Sequence, residues 1–406
     1  MLATIASVDC KIRIITIKSR FIEMFQNSNY SSVHLSNVLN QYYVPEKIDK
    51  PELESYITLS SYGKGIKKRE IKEGKTPVPF TGCRIKAGQF VSSRLHAKEG
   101  AFGLVPDELD GSVVSRDFPV FDIDIKQINP KYLLAAVSHE SFYQQFLNDS
   151  FGSTTKRRIK EDIFLEYSII LPPLDKQNEY VSFLEHIERT ETVFKKYLNL
   201  LDLLVKSRFI EMFEDNPESS NWCFSSLESI CNGITDGSHN PPASGEKSNN
   251  LMISSKNIHD GTIDFEDSRY LTDEQFISEN NRTKVQKDDL LMTIVGTIGR
   301  TAIVPDFENN VTFQRSVSVL HPKHELLNVT YLKESLDTIQ PDLERLAHGS
   351  SQKGIYLNQV KAIQIKLPPI ELQNQFADFV KQMNKSKFMS SMTATDSASL
   401  SEQGLV

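Results

Sequence analysis

The sequence predicts an α+β protein: two globular α/β domains in a pseudo-two-fold arrangement, separated by long helices that form an antiparallel coiled coil. Three observations predict this. The octapeptide KSRFIEMF occurs twice, at Lys18–Phe25 and at Lys206–Phe213. A proline-led segment also occurs twice, as LPPLDKQNEYVSFL (Leu171–Leu184) and LPPIELQNQFADFV (Leu367–Val380). Between these joints lie two strand-rich stretches that resemble each other little.

Repetition is settled first, because each repeat marks one structural unit. It extends upstream of the proline joints. GSTTKRRIKEDIFLEYSII (Gly152–Ile170) answers GSSQKGIYLNQVKAIQIK (Gly349–Lys366), VPD at Val105–Asp107 matches VPD at Val304–Asp306, and Arg116 falls opposite Arg315. The chain is therefore two copies of a unit of roughly 190 residues, with diverged middles and retained joints.

In chain order, residues 1–25 read as a helical segment, 26–170 as the first mixed domain and 171–214 as a long central helix. Residues 215–366 form the second mixed domain, and 367–388 begin a C-terminal helix. Residues 389–406, MSSMTATDSASLSEQGLV, are Ser/Thr-rich and are expected to be disordered.

The central helix starts after Pro172–Pro173, residues that suit a first turn. Apolar residues then fall at Tyr180, Leu184, Ile187, Phe194, Leu198, Leu201, Val205, Phe209 and Met212, in steps of four and three, with Glu191 at one heptad position. A second stripe, Val193, Tyr197, Leu200 and Leu204, is expected to widen that face. No Pro or Gly interrupts before Pro217. At ~1.5 Å per residue the rod is roughly 60 Å long, and a stripe of this period calls for a partner helix. Phe376, Val380 and Met383 repeat the same steps, with Lys387 at the repeat position of Glu191. The central helix holds both the LPP beginning and the KSRFIEMF end. The N-terminal segment has the end only and the C-terminal helix the beginning only. Joined head to tail, the chain would close a pseudo-symmetric ring.

The mixed domains carry short strand-like runs (CRIKAGQFVSS, DLLMTIV, RTAIVPD, SVSVLHP) among turns rich in Gly, Asn and Asp. Neither shows the strand–helix alternation of a nucleotide-binding sheet.

Composition is that of a folded protein: 39% hydrophobic and 24% charged over 406 residues. No apolar run reaches the ~18–20 residues of a membrane span. The start, MLATIASVDCKIR, lacks the basic segment of a secretory signal. Four scattered cysteines without CxxC spacing suit free thiols in a reducing cytoplasm better than zinc or disulfides. A net charge of −7 argues against nonspecific coating of nucleic acid, but phosphate contact depends on local clusters. Two such clusters stand out: Lys67, Lys68, Arg69, Lys72 and Lys75, then Lys156, Arg157 and Arg158 by the joint. Their alternative is a solvated loop face. In the second domain, Ser238, His239, Lys256, Asn257, Arg300, Gln314 and Arg315 are hydrogen-bonding residues at loops or strand ends. Arg, Asn and Gln can bond base edges in pairs. Structural roles remain open for each.

Several of these features together resemble the specificity subunit of type I restriction–modification enzymes. They are TDGSH followed by NPP (Thr235–His239, Asn240–Pro242), SSKNI (Ser254–Ile258) and LLMTIVGTIGRTAIV (Leu290–Val304). To these are added GSSQKGI ahead of LPPIELQNQ, and the long helix ending in KSRFIEMF. The resemblance covers all but about the last eighteen residues. It implies two target-recognition domains that each read half of a split double-stranded DNA site. Two helices would hold them apart and dock two methyltransferase subunits, with restriction and translocation subunits joining them. It further implies that this chain carries no cofactor, S-adenosylmethionine, ATP and Mg belonging to the partner subunits. No membrane or RNA role is expected.

The rival class is a stand-alone DNA adenine methyltransferase or its recognition fragment. Such enzymes need a polar residue, Pro, Pro and an aromatic in sequence, but here NPP is followed by Ala243 and both LPP motifs lack the polar first residue. VGTIGR (Val295–Arg300) has two glycines but no βαβ frame around it. No GxxxxGK[ST] phosphate loop is present, and PDELD and PDFEN lack the acid-x-Lys that would follow to complete a nuclease metal site. A helical scaffold without DNA contact would leave the two divergent domains without a purpose.

Overall fold

The computed structural model describes residues 30–61, 65–71, 78–139, 142, 145–146, 159–307, 309–349 and 353–403. The first KSRFIEMF copy, together with Lys72, Lys75, Lys156, Arg157 and Arg158, lies outside the described residues. The chain forms two compact units, divided within the central helix between Thr190 and Glu191. Among the described residues no helix is long and apolar enough to cross a membrane.

The unit before Thr190 is built on a four-stranded antiparallel sheet in the order Leu39–Tyr42, Val120–Ile123, Phe90–Ser92, Phe102–Leu104. Phe90, Phe102, Phe121 and Phe164 are fully or almost fully buried on it. Burial of such rings is the main stabilising term for a sheet face. A second sheet sets Phe80–Arg84 antiparallel to both Pro45–Ile48 and Val113–Val114. Arg84 ties that sheet to its surroundings: its guanidinium bonds Glu46 at 2.6 Å, Glu54 at 2.9 Å and the carbonyl of Gly111 at 2.7 Å. The paired carboxylates hold it protonated well above the usual range, and it in turn lowers Glu54.

The second unit repeats the first sheet with the same strand order: Cys231–Asp236, Val317–Pro322, Leu290–Thr293, Thr301–Ile303. Its other sheet keeps the directions of the first unit's parallel bridge Tyr56–Val113 and antiparallel pair Ile57–Leu59 with Ile66–Lys68. The helix Asp273–Thr283 packs on it where the first unit has the strand Phe80–Arg84. Asn250–Ile253 runs parallel to Asn310–Phe313 and antiparallel to Arg269–Tyr270.

Each unit reaches its long helix through the same construction. A short ribbon, Ser32–His34 with Ser168–Ile170 and Phe224–Ser226 with Gln364–Lys366, delivers the chain to the two prolines. The Gln that follows is wholly buried in both copies. The Gln177 side-chain oxygen accepts the Asn129 N–H at 2.8 Å, while its amide donates to the carbonyls of Pro172 (2.8 Å) and Gln127 (3.0 Å). Gln373 does the same with Asn328 (2.9 Å), Pro368 (2.9 Å) and Leu326 (3.1 Å). Asn129 and Asn328 cap the helices Pro130–Val137 and Val329–Thr338, and each also donates to the next joint residue, Asn178 or Asn374, at 2.8 Å. Tyr132 and Tyr331 donate their hydroxyls to the ribbon carbonyls of Ile170 and Lys366. Burial pushes Tyr331 up to about 12 and Tyr132 higher still. The LPP-x-x-x-Q-N repeat thus encodes a buried amide clamp, and the need to satisfy buried polar groups explains why both copies keep it.

The central helix runs without a break from Leu174 to Phe209, and a π turn, Ile210–Glu214, replaces the α geometry expected up to Phe213. There Phe209 and Phe213 meet both Tyr331 and Phe376, with ring centroids 4.6–5.7 Å apart. The C-terminal helix begins at Ile370 and continues to Gln403, which corrects the expected end at Phe388 and the disordered tail. Its composition holds no Pro or Gly before Gly404, so nothing in the sequence stops it.

Within the second unit the two helices are antiparallel, since Phe209 meets Phe376 while Asp202, a turn or two earlier, pairs with Lys387, further on. Val205 is buried with Phe376, and Val380 and Met383 pack against the same core. Leu201 is also buried, and Phe194 and Leu198 are half-buried. In the first unit Tyr180 and Ile187 are buried and Leu184 is half-buried. The second stripe does not widen this face: Val193, Tyr197, Leu200 and Leu204 are 38–62% exposed. Each precedes a core-facing position by one residue and so stands about 100° around the helix.

Candidate nucleic-acid interface

Each shared sheet has two ends. The Gln clamp sits where strands Val120–Ile123 and Val317–Pro322 finish. At the opposite end the strands open into loops, and in the second unit backbone bonds gather those loops together. The Ser238 N–H reaches Phe313 at 2.8 Å, and Arg315 N–H returns to Ser238 at 2.9 Å. Gln314 N–H bonds Ile253, Ser255 N–H bonds the Ser316 hydroxyl, and Gly296 N–H bonds Lys353. Residues 237–239, 254–257, 294–300, 314–316 and 353–355 therefore share one loop cluster.

TDGSH is explained by this closeness. A side chain on Gly237 would place its Cβ 2.0 Å from the Phe313 carbonyl oxygen, so only glycine fits. Asp236 takes a two-pronged bond from Arg282, with Nη2 at 2.5 Å, and also bonds His239 at 2.8 Å. VGTIGR forms the turn between Leu290–Thr293 and Thr301–Ile303. Gly296 and Gly299 adopt φ of +87° and +77°, and Gly299 N–H closes on Thr293 at 2.8 Å. That geometry accounts for both glycines without a bound cofactor.

The predicted readers separate into two groups. Lys256 and Arg315 are exposed and Gln314 is half-buried, and none has a side-chain partner among the described residues. His239 is half exposed at the rim, beside Arg282. Arg300 is exposed, although one guanidinium nitrogen lies 3.3 Å from the Ile258 carbonyl. Asn257 and Ser238, by contrast, are buried. Asn257 accepts from Ser254 and donates to Glu266 at 2.9 Å, which uses its fork internally, so of the roles the sequence left open it takes the structural one. Ser238 acts through its backbone as the staple between loops. Lys353 and Arg282 join the cluster unforeseen; GSSQKGI was noted as a motif, but its lysine carried no spacing signal.

In the first unit Lys67 and Lys68 are exposed on the strand Ile66–Lys68, and Arg69 follows it. They border a cleft of about 920 Å³ whose other walls include Tyr56, Phe80 and Phe118. At the loop end of the shared sheet, Arg116 bonds the Tyr43 hydroxyl at 3.0 Å and lies over its ring, and Lys86 lies over Tyr42. Arg94 pairs there with Glu161. The repeat alignment of Arg116 with Arg315 was the available signal for this site. A basic, aromatic-flanked loop end suits contact with phosphates and base edges.

Comparisons with known proteins agree with the repeat. The family model described as type I restriction modification DNA specificity domain matches twice, at residues 36–201 and 221–391. The chain is 21% identical over 353 residues to the type I restriction enzyme EcoBI specificity subunit of Escherichia coli, covering 78% of this chain and 72% of that protein. A chain from structural work on complex assembly and conformational transition of the type I R-M system superposes with a TM-score of 0.58 at 17% identity. That superposition spans 92% of this chain and 95% of the other.

Proposed function

Since the chain belongs to the family of type I restriction–modification DNA specificity domains, we propose that it is the noncatalytic address of such a complex and binds one bipartite double-stranded DNA site. Each unit reads one half-site with the loop end of its shared sheet. Lys256, Arg300, Gln314 and Arg315 face DNA in one unit, and Lys67, Lys68, Arg69 and Arg116 in the other. The long helices dock two methyltransferase subunits, and restriction subunits join through these. S-adenosylmethionine, ATP and Mg act in the partners, not in this chain.

The observation that carries this reading is the pairing of like with unlike. Both units keep the sheet order and the amide clamp, yet the first sets the strand Phe80–Arg84 beside Val113–Val114 while the second packs the helix Asp273–Thr283 on Asn310–Phe313. Two readers on a common frame can then address two different base patterns, as paired half-sites require. A stand-alone methyltransferase is disfavoured by NPP, whose Pro241 and Pro242 carbonyls bond Arg269.

The test is exchange of residues 215–366 for the corresponding domain of a relative, read by methylome sequencing of cells that express the chain with its methyltransferase. One half of the methylated sequence should change. A change in both halves, or no methylation pattern at all, rejects the reading.

A further inference from the structure

Gln177 and Gln373 do the same work in two places. Each is wholly buried, each accepts one backbone N–H, and each donates to two carbonyls, one on the approach to its helix and one in the segment that leaves the shared sheet. A primary amide has two donors and one carbonyl acceptor, so the side chain is used almost completely. The Asn129–Asn178 and Asn328–Asn374 bonds, both 2.8 Å, brace the same junction from its exposed side. The hydroxyls of Tyr132 and Tyr331 pin the ribbon that precedes the prolines. Five hydrogen bonds at each joint, three from the Gln and one each from the Asn pair and the Tyr, therefore resist bending between a domain and the helix that leaves it.

Stiffness at this point matters for a split site. One additional base pair shifts the second half-site by about 3.4 Å along the axis and turns it by about 35°. A flexible junction would absorb that displacement at little cost, and a braced one would not.

We propose that the two amide clamps, Gln177 with Asn178 and Gln373 with Asn374, are positioning devices that restrict the chain to a single spacing between half-sites. This rests on the bipartite reading above. The clamps touch no base; they act by holding each reader at a fixed angle to its helix, in the way that supporting hydrogen bonds hold a binding site in place.

The experiment uses the full chain with its methyltransferase partner and duplexes that carry two randomised blocks separated by constant spacers of every length. After selection, the ratio of affinities between the preferred spacer and spacers one base pair shorter or longer is measured for wild type and variants. Asn178→Ala and Asn374→Ala remove only exposed braces and should keep the fold; Gln177→Ala and Gln373→Ala remove the buried amides. The variants should lose about tenfold in spacer discrimination, with the base preference inside each block unchanged. Asn178→Asp keeps the acceptor for Asn129 and should retain the wild-type ratio. A merely structural role would lower affinity at all spacers alike and leave the ratio unmoved, which overturns the proposal. If the wild type selects no spacer, the bipartite reading itself falls. If it selects one and folded Asn178→Ala and Asn374→Ala hold it as sharply, only the clamp falls.

Discussion

In the domain before the central helix, Phe80–Arg84 has antiparallel neighbours on both sides. In the domain after it, the helix Asp273–Thr283 packs on Asn310–Phe313 in place of such a strand. A helix in place of a strand requires a different sequence period, so the chain has been rebuilt in these regions rather than adjusted. At the helix joints nothing has been rebuilt. The same Gln, the same Asn cap and the same Tyr make the same bonds, at distances that agree within about 0.1 Å. The contrast teaches where each domain is constrained. A buried amide with three partners tolerates no substitute, because every loss leaves polar groups without water. An exposed loop end has no such bookkeeping and is available for change.

The largest blow to this equivalence comes from the apolar side of the joints. Phe376→Ala should cost about 3–5 kcal/mol and Tyr180→Ala a comparable amount, read by denaturant unfolding. Both rings are at most 3% exposed. A small effect at either would show that the two joints carry different loads. Next come Gln177→Leu and Gln373→Leu, each expected to destabilise by about 2–4 kcal/mol, since one buried N–H and two carbonyls lose their partner. Unequal losses would break the comparison at its most exact point.

At the loop ends, Arg315→Ala should weaken DNA binding by the partnered complex about tenfold, and Lys256→Ala should lower the salt slope by about one. Arg116→Ala is expected to do less, because Tyr43 already holds that guanidinium. Titration of binding against salt measures all three. A larger loss at Arg116 would reverse the assignment.

The smallest effect is with pH. His321 bonds Asp289 at 2.8 Å, and that carboxylate raises the imidazole above its ordinary 6.5 despite burial. The stabilisation is complete below about 6.5 and is lost as pH rises through the elevated value. The first domain uses Gln89 with Asp122 at 2.8 Å, a pair without an imidazole. Thermal unfolding of the second domain should therefore weaken above neutrality, and His321→Gln should remove the slope while leaving the first domain unaffected.

Much of the fold was legible in the sequence, for identifiable reasons. A stripe in steps of three and four admits one helical face, so Val205 and Phe376 could be placed before any coordinates. An LPP start followed by Gln-Asn, written twice, announced a joint. The readers were harder. Asn257 looked like a base reader because a capping amide and a reading amide offer the same donors and acceptors; only burial separates them. Arg282 went unnoticed because its partner Asp236 lies far away in sequence. The tail after Phe388 was read as disordered from its Ser and Thr content, although nothing there ends a helix before Gly404.

The sequence by itself determined the repeat, the two long helices and the residues that fasten them, because periodicity and spacing are local and survive without a third dimension. Tertiary structure alone decided which polar residues remain available for a ligand. That choice depends on which loops meet at the open end of each sheet, and a hydrogen bond to a distant carbonyl takes a side chain out of use without leaving any mark on the order of its neighbours.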